Sequence, residues 1–504
     1  MKKKNKKKFM LGPVITIILL TFLIMFLSSI FAIVGIQGHK TAIVNGTLES
    51  SLVTVKNIFT VEGIKYIFSN IVINFRSFEP LVLIIMSFIA VGIGDSSGLF
   101  KAIFSPFKKL NATTTTFIIF LLGIISSIIG EYSYIILIPL VSAMYKYLGK
   151  NQMLGVLTIF LGITLGYGTG IYYNFNAYQL GQLTQAAATI DVDKNYQFQL
   201  LSNIYIMLAS TIILAFVGSL LIHKFLEPKF KKPMEEDDDL IISKKALMAS
   251  NFLFFLMIAI SIYMIIPGFP GSGLLLDNTQ ETYIAKLFSE TAPFRDGIMF
   301  IFLIIAMLCG GVYGYFSGNI KNTHEYSFNL SKSFDNIGYV FVLMFFTSVM
   351  TGILEWTNLG EVIATNIIEV LSSFQFSGIP LIISFMIAII LMSILIPSNV
   401  TKWSLASPII IPLFMRANIT PDFTQFIFKV SDGIGKAMTP LFIYFIVMIA
   451  FLQKDNKTSE EVTIFGTMKL IMPITLMITG LWILILICWY MAGLPLGISG
   501  YSTL

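Results

Sequence analysis

Charged residues inside long apolar stretches are the first candidates for chemistry in this sequence. Asp432 lies in the glycine-rich segment 431–436, within an apolar run. Lys429 and Lys436 stand three residues before it and four residues after it, on the same face of a helix. Such a charge costs roughly 3 kcal/mol at the centre of a bilayer and usually marks function. This acid could bind a proton or a sodium ion while the lysines meet an anionic solute; the alternative is a structural ion pair.

A second polar group, 397–403, separates two apolar arms. It offers hydroxyls, an amide, a cation and an aromatic ring, from Ser398, Asn399, Thr401, Lys402 and Trp403. Helix ends that meet at such a tip expose backbone dipoles, which can hold ions. Simple capping of a turn by serine and asparagine is the plainer interpretation. Glu131, in the segment 130–134 between two other apolar arms, is a weaker candidate of the same kind.

The composition shows what kind of element must position these groups. Hydrophobic residues make up 56% of the 504 residues and charged residues 12%, with a mean hydropathy of +0.84. Soluble domains carry roughly a quarter charged residues, so a soluble fold is excluded. Several apolar runs reach the roughly 20 residues that a spanning helix needs. We therefore predict an all-α integral membrane protein with about nine transmembrane helices and two re-entrant helical hairpins.

Lysines indicate the orientation. Six of the first eight residues are lysines, directly before the first apolar run. This pattern predicts a cytoplasmic N-terminus and not a nucleic-acid interface. The run exceeds the apolar core of a signal peptide and has no clear cleavage site, which favours an uncleaved span. Three arginines accompany thirty lysines, and isoleucine, phenylalanine and asparagine are abundant. This usage indicates an AT-rich bacterial genome, and the expected location is the bacterial cell membrane.

The order of apolar and polar segments predicts two inverted repeats, each with a hairpin followed by a helix that is broken by glycines. The predicted segments are a basic cytoplasmic tail (1–11), a first repeat (12–223) with its hairpin (113–149) and broken helix (152–190), a charged cytoplasmic linker (224–247), and a second repeat (248–504) with its hairpin (376–415) and broken helix (424–453). Inverted repeats with discontinuous helices are typical of secondary transporters, whose substrates bind near the middle of the membrane.

Other classes of function lack their motifs. The sequence has no G-x-x-x-x-G-K-[ST] motif, which a nucleotide-driven pump would need in this chain or in a partner. Cys309 and Cys488 lie in apolar runs, and the three histidines lie outside the predicted spans. We therefore expect no enzyme activity, no metal site and no cofactor beyond a coupling proton or sodium ion.

Several short stretches, in this order and spacing, resemble the AbgT family of p-aminobenzoyl-glutamate transporters in the ion-transporter superfamily. The resemblance extends from about residue 55 to residue 497. The matching stretches are 62–64, 70–75, 95–99, 226–228, 312–315, 356–360, 402–403 and 493–497, together with Asp432 and Pro440.

The resemblance implies a homodimer in the lipid bilayer, with nine spans and two hairpins in each protomer. It implies proton- or sodium-coupled transport of a small anionic solute similar to p-aminobenzoyl-glutamate. Proton-driven export of sulfonamide-type antimetabolites is one alternative, and a channel or non-transporting membrane subunit is another. The expected substrate contacts are Ser398, Asn399, Thr401, Lys402, Trp403, Lys429 and Pro440. The expected ion-coupling residues are Asp432, Glu131, Ser393 and Asn176.

The sequence departs from the family pattern at four polar positions. The acid of the family's first broken helix falls on Ala177, beside Asn176, and a nearby asparagine falls on Gly170. In the second repeat, a serine of the hairpin tip falls on Val400 and an upstream asparagine on Ser393. Asp432 is therefore expected to carry the ion coupling with fewer polar partners, and the substrate is expected to differ.

Overall fold

The structure is a computed structural model, and about 72% of it is helical. It describes the chain except for residues 1–10, 45, 172–173, 191–192, 232–238, 333, 335–336, 458–460 and 499. Residues 1–10 of the predicted basic tail and most of the acidic part of the predicted linker lie outside the described residues.

Helices and one β-hairpin follow each other along the chain. The elements of the first half are α1 (Pro13–Val34), β1 (Gln37–Val44), β2 (Thr47–Thr54), α2 (Val61–Arg76), α3 (Glu79–Ser96), α4 (Leu99–Phe104), α5 (Ala112–Ile125), α6 (Tyr132–Tyr147), α7 (Gln152–Leu165), α8 (Phe175–Ala188) and α9 (Ile204–Phe225). Those of the second half are α10 (Lys244–Tyr263), α11 (Tyr283–Phe288), α12 (Pro293–Ser317), α13 (Thr323–Lys332), α14 (Gly338–Trp356), α15 (Leu359–Ser373), α16 (Gly378–Leu395), α17 (Asn399–Arg416), α18 (Pro421–Ala437), α19 (Ile443–Lys454) and α20 (Ile464–Ala492).

Nine helical segments among the described residues are long and apolar enough to cross a membrane. The total agrees with the predicted number of spans, but the members differ. Two of the nine are the segments Ala112–Ile129 and Gly378–Leu395, which are the first arms of the predicted hairpins. The two predicted broken helices are instead pairs of shorter helices, α7 with α8 and α18 with α19. The membrane class is confirmed, while the re-entrant course of the hairpins stays a prediction.

Polar caps determine where the helices near the hairpins begin. The side chain of Asn174 accepts a hydrogen bond from the backbone N–H of Ala177 at 2.8 Å, which starts α8. Ser398 accepts one from the backbone N–H of Thr401 at 3.2 Å, which starts α17. These bonds satisfy backbone donors that have no partner in the first turn of a helix. The capping that the sequence allowed as the plainer interpretation is therefore present at Ser398.

The two broken helices form the centre of the molecule. Every residue of α18 from Phe423 to Ala437 is buried, as is every residue of α7 from Leu154 to Leu165. Peripheral α10 buries two residues, Ala246 and Ser250. A helix that is apolar on all exposed sides is suited to lipid, whereas one that is buried on all sides is enclosed by protein. The charges of α18 are therefore shielded on every side.

The segment between α1 and α3 departs from the predicted all-α fold. It contains α2, but an antiparallel β-hairpin precedes it, with Gln37 opposite Thr54. The hairpin is fastened to α15, where Lys40 Nζ lies 2.8 Å from Glu361 Oε1. Among the described residues, the all-α prediction holds outside this hairpin and one isolated β-bridge between Gly497 and Gly500. The hairpin's stabilising partner is about 320 residues away in the sequence, where local patterns carry no information about it.

Candidate functional site

Asp432 connects the second hairpin to the second broken helix. Asp432 and Lys402 are both fully buried. Lys402 Nζ donates hydrogen bonds to Asp432 Oδ1 and, at 2.9 Å, to Ser393 Oγ. The Ser393 hydroxyl donates to the same carboxylate oxygen at 3.0 Å. One oxygen of a single acid thus joins α16, α17 and α18.

Lys436 extends this arrangement to the first hairpin. Its Nζ lies 3.2 Å from Asp432 Oδ2 and 3.2 Å from Glu131 Oε1. Lys402, Asp432, Lys436 and Glu131 therefore form a row of alternating charges, which we call the ion chain. The charges of the two acids and the two lysines cancel when all four side chains are ionised. Mutual pairing of this kind is what allows charges to remain buried.

Glycines in α18 allow neighbouring helices to approach the ion chain closely. A Cβ atom at Gly433 would lie 2.3 Å from the carbonyl oxygen of Thr164 in α7. One at Gly435 would lie 2.5 Å from Ser393 Cβ in α16. Only a residue without a side chain permits such contacts. The glycines around Asp432 therefore allow α7 and α16 to pack closely against the part of α18 that carries the charges.

Two aromatic rings, one from the break in each broken helix, lie beside the ammonium group of Lys436. Its Nζ lies 5.0 Å from the centre of the Tyr167 ring and 5.1 Å from that of Phe442. Aromatic faces stabilise a cation at this distance. Asn399, at the tip of the second hairpin, donates a hydrogen bond from Nδ2 to the Tyr167 hydroxyl. The tip and the first break thus meet beside the ion chain.

An open cavity of about 1170 Å³ lies between the two hairpin tips, the beginnings of α3 and α12, and the end of α14. Five predicted site residues line it: Glu131, Asn176, Ser398, Asn399 and Thr401. Glu131 is the member of the ion chain that reaches this cavity among the described residues. It stands directly before α6, after Gly130 with a φ of +60°. An ion or proton entering from the cavity would therefore meet the ion chain at Glu131.

The remaining predicted substrate contacts do not line the cavity. Trp403 is fully buried, and its Nε1 donates to the carbonyl of Leu180 at 3.2 Å and to Thr184 Oγ1 at 2.9 Å. Lys429 lines a separate small cavity of about 20 Å³ at the first break. Pro440 lies in the turn between α18 and α19. In this conformation the indole of Trp403 fastens α17 to α8.

Lys436 was expected either to meet an anionic solute or to form a structural ion pair with Asp432, and the structure shows the ion pair. The signal was present, because the i and i+4 spacing places the two side chains together on a helix. Its second partner, Glu131, lies 305 positions away and had no such signal. In the described part of the chain, no group of three or more His, Cys, Asp or Glu side chains could hold a metal ion.

Comparison with known proteins assigns the family. The model of the AbgT putative transporter family matches residues 8–504. The chain belongs to the AbgT family. The p-aminobenzoyl-glutamate transport protein of Escherichia coli (strain K12) is 23% identical over 499 residues, which cover 98% of this chain and 94% of that protein.

Two solved AbgT-family structures are similar over nearly the whole chain. The YdaH transporter of Alcanivorax borkumensis is 22% identical with a TM-score of 0.50, covering 97% of this chain and all of that one. MtrF of Neisseria gonorrhoeae, from a class of antimetabolite efflux pumps, is 25% identical with a TM-score of 0.49, covering 98% of each chain. The likeness to YdaH shows the shared fold. Together with the family match, it confirms a multi-pass membrane transporter and not an enzyme.

Proposed function

We propose that this AbgT-family protein is a proton-coupled secondary active transporter of a small solute. The observation that carries the proposal is the ion chain, which leads from the cavity at Glu131 to the fully buried Asp432. Both oxygens of Asp432 already face cationic or hydroxyl groups. That environment supports a proton, rather than sodium, as the coupling ion. The name of the Escherichia coli relative supports a solute with a p-aminobenzoyl group.

The geometry suggests how a proton could be coupled to movement. A proton that binds Glu131 from the cavity neutralises the carboxylate and removes its attraction to Lys436. Lys436 then has Asp432 as its single acidic partner among the described residues, so the link between the first hairpin and α18 weakens. Coupling would follow if this link weakened only while solute is bound at the two hairpin tips. Coupling of this kind requires only a difference in affinity between two conformations.

Orientation and assembly belong to the same proposal. We propose a homodimer in a bacterial cell membrane with a cytoplasmic N-terminus. The family match and the lysines at the ends of the apolar runs support this arrangement. The apolar, little-buried α10 supplies a surface for lipid or for a second protomer.

Transport into liposomes that contain the purified protein tests the coupling. A proton gradient should drive accumulation of labelled p-aminobenzoyl compounds or sulfonamides, and a sodium gradient alone should not. The direction of net movement relative to the proton separates uptake from export. Glu131→Gln should reduce gradient-driven accumulation at least about tenfold, equivalent to about 1.4 kcal/mol. Exchange of solute for solute should persist, because it needs no net proton movement.

Glu49→Gln is the matched control, since Glu49 is exposed on β2 and is not among the residues that line the cavity. It should behave as the wild type in both assays. Accumulation driven by sodium alone, or full proton-driven accumulation by Glu131→Gln, would show that the ion chain does not couple protons.

A further inference from the structure

The cavity carries many more carboxylates than cations. The acidic residues that line it are Glu79, Glu131, Glu290, Asp296, Glu355 and Glu361. Arg295 is the one basic residue among the described residues of the lining. This composition is the opposite of what a solute with two carboxylates, such as p-aminobenzoyl-glutamate, would need.

Two of the six acids are neutralised by lysines from outside the cavity. Lys436 pairs with Glu131, and Lys40 pairs with Glu361. The four others have no ion pair among the described residues, and they are Glu79, Glu290, Asp296 and Glu355. Four carboxylates against one guanidinium leave a net charge of −3 when all are ionised. Clefts that carry one sign of charge concentrate ions of the opposite sign.

An amide side chain contributes to the polar lining of the cavity. Asn176 is 6% exposed and lines the cavity. An amide carries hydrogen-bond donors and an acceptor in one side chain. Asn176 can therefore provide both a donor and an acceptor to a bound molecule.

Aromatic rings near the carboxylates accept cations. Tyr132 and Phe175 line the cavity, with ring centres 6.3 Å apart. The guanidinium of Arg295 already lies over the Phe175 ring, 4.7 Å from its centre. Glu79 and Asp296 line the same cavity as these rings. Rings, carboxylates and an amide thus surround the same space.

We propose, on the basis of the transport function proposed above, that the solute of this cavity is a small molecule with an aromatic ring and an aliphatic amine that is protonated at neutral pH. The carboxylates of Glu79 and Asp296 attract its ammonium group, and Tyr132 and Phe175 contact its ring. Asn176 binds a neutral polar group such as an amide. The same carboxylates repel an anionic solute, so this chain differs in substrate charge from its relative that transports p-aminobenzoyl-glutamate.

A series of compounds that share the p-aminobenzoyl ring isolates the effect of charge. Procainamide carries a protonated amine, p-aminobenzamide is neutral, and p-aminobenzoyl-glutamate carries two carboxylates. Calorimetric titration of the purified protein should give the affinity order cation, neutral compound, dianion, with steps of at least about tenfold, or about 1.4 kcal/mol each. High salt should reduce these differences, because it screens charges in an open cavity.

Variants attribute the order to the cavity. The double variant Glu79→Gln/Asp296→Asn should weaken procainamide binding about tenfold, which corresponds to about 1.4 kcal/mol of binding free energy. It should strengthen binding of the dianion. Asn176→Ala should weaken all three compounds similarly. Glu49→Gln is the control, and the melting temperature of each variant verifies that it is folded. Tighter binding of p-aminobenzoyl-glutamate than of procainamide, or an unchanged order in the double variant, would overturn the proposal.

The two proposals fail separately. A wrong order of affinities leaves proton-driven accumulation and its loss in Glu131→Gln intact. A failure of proton coupling leaves the order of affinities intact, because binding is measured without a gradient.

Discussion

Each of the two broken helices follows a pair of apolar helices along the chain, but the two carry different chemistry. From residue 152 to residue 190 the first one has no Asp, Glu, Lys or Arg. The second one buries Lys429, Asp432 and Lys436 within two turns of α18. Charges at this depth are rare and costly. The buried charges of the two broken helices are therefore concentrated in the second half, and the first half contributes Glu131 from its hairpin.

Unusual backbone geometry, in contrast, occurs in the first broken helix. The first break contains Gly168 and Gly170 with φ values of +95° and +117°, and side chains from other helices hold its backbone. The Gly170 N–H donates to Thr211 Oγ1 at 2.9 Å, and Ser127 Oγ donates to the Thr169 carbonyl at 3.0 Å. The second break, 438–442, has no residue with positive φ. The first broken helix thus has the unusual backbone conformation, and the second has the buried charges.

Removal of the shared lysine should have the largest effect on this arrangement. Lys436→Met leaves Asp432 buried with one partner lysine and separates Glu131 from the ion chain. Loss of one member of a buried ion pair typically costs about 3 to 5 kcal/mol. We expect a fall of this size in the free energy of unfolding, measured by chemical denaturation in detergent, together with loss of proton-driven transport.

Glu131→Gln is the matched comparison, because it breaks the same ion chain at its exposed end. Glu131 is about one-third exposed to the cavity, where water compensates for a lost pair. Its loss should therefore cost less than about 1 kcal/mol. Equal destabilisation by the two variants would contradict the view that burial in the second half distinguishes the two ends.

The close contact between the two broken helices predicts an intermediate effect. Gly433→Ala would place a methyl group 2.3 Å from the Thr164 carbonyl of α7, so the helices must separate. Such overpacking costs about 1 to 3 kcal/mol. Gly480→Ala in α20 is the control, since no atom lies within 4 Å of its added Cβ. It should leave stability unchanged or raise it by up to about 1 kcal/mol. The same melting temperature for both variants would argue against a tight contact between α7 and α18.

The membrane class and the candidate acids could be predicted from local patterns. Apolar length identified most of the long apolar helices, and the glycine-rich segment around Asp432 identified the centre of the ion chain. The short polar segments between pairs of apolar arms identified Glu131 and Asn399. These features depend on a few neighbouring residues, so the sequence contains them directly.

Contacts between the two halves could not be predicted in this way. The pairing of Glu131 with Lys436 and the attachment of the β-hairpin to α15 join residues more than 300 positions apart. No periodicity connects such residues, because their proximity results from packing of the whole fold. The burial of Trp403 against α8 has the same origin, since its partners Leu180 and Thr184 belong to the other half. The acidic cavity likewise collects side chains from both halves.

The far end of the second broken helix predicts the smallest effect, a dependence of stability on pH. Asp455 follows directly after α19 and accepts a hydrogen bond from Ser142 Oγ at 2.6 Å. Desolvation raises its pKa to about 6, whereas an aspartate in the unfolded chain titrates near about 4. Between these values the folded state binds more protons, so stability falls as pH rises from about 4 to about 6 and is constant above.

Asp455→Asn should remove this slope in melting temperature against pH. The expected change is on the order of 1 kcal/mol, because solvent beside Asp455 screens part of the effect. Glu49→Gln, which changes an exposed acid of β2, should retain the slope of the wild type. The first broken helix ends at Ala188 without a titratable group, so no corresponding slope originates there. If the slope survives in Asp455→Asn, the titrating acid lies elsewhere, and the contrast between the two broken helices does not extend to this end of α19.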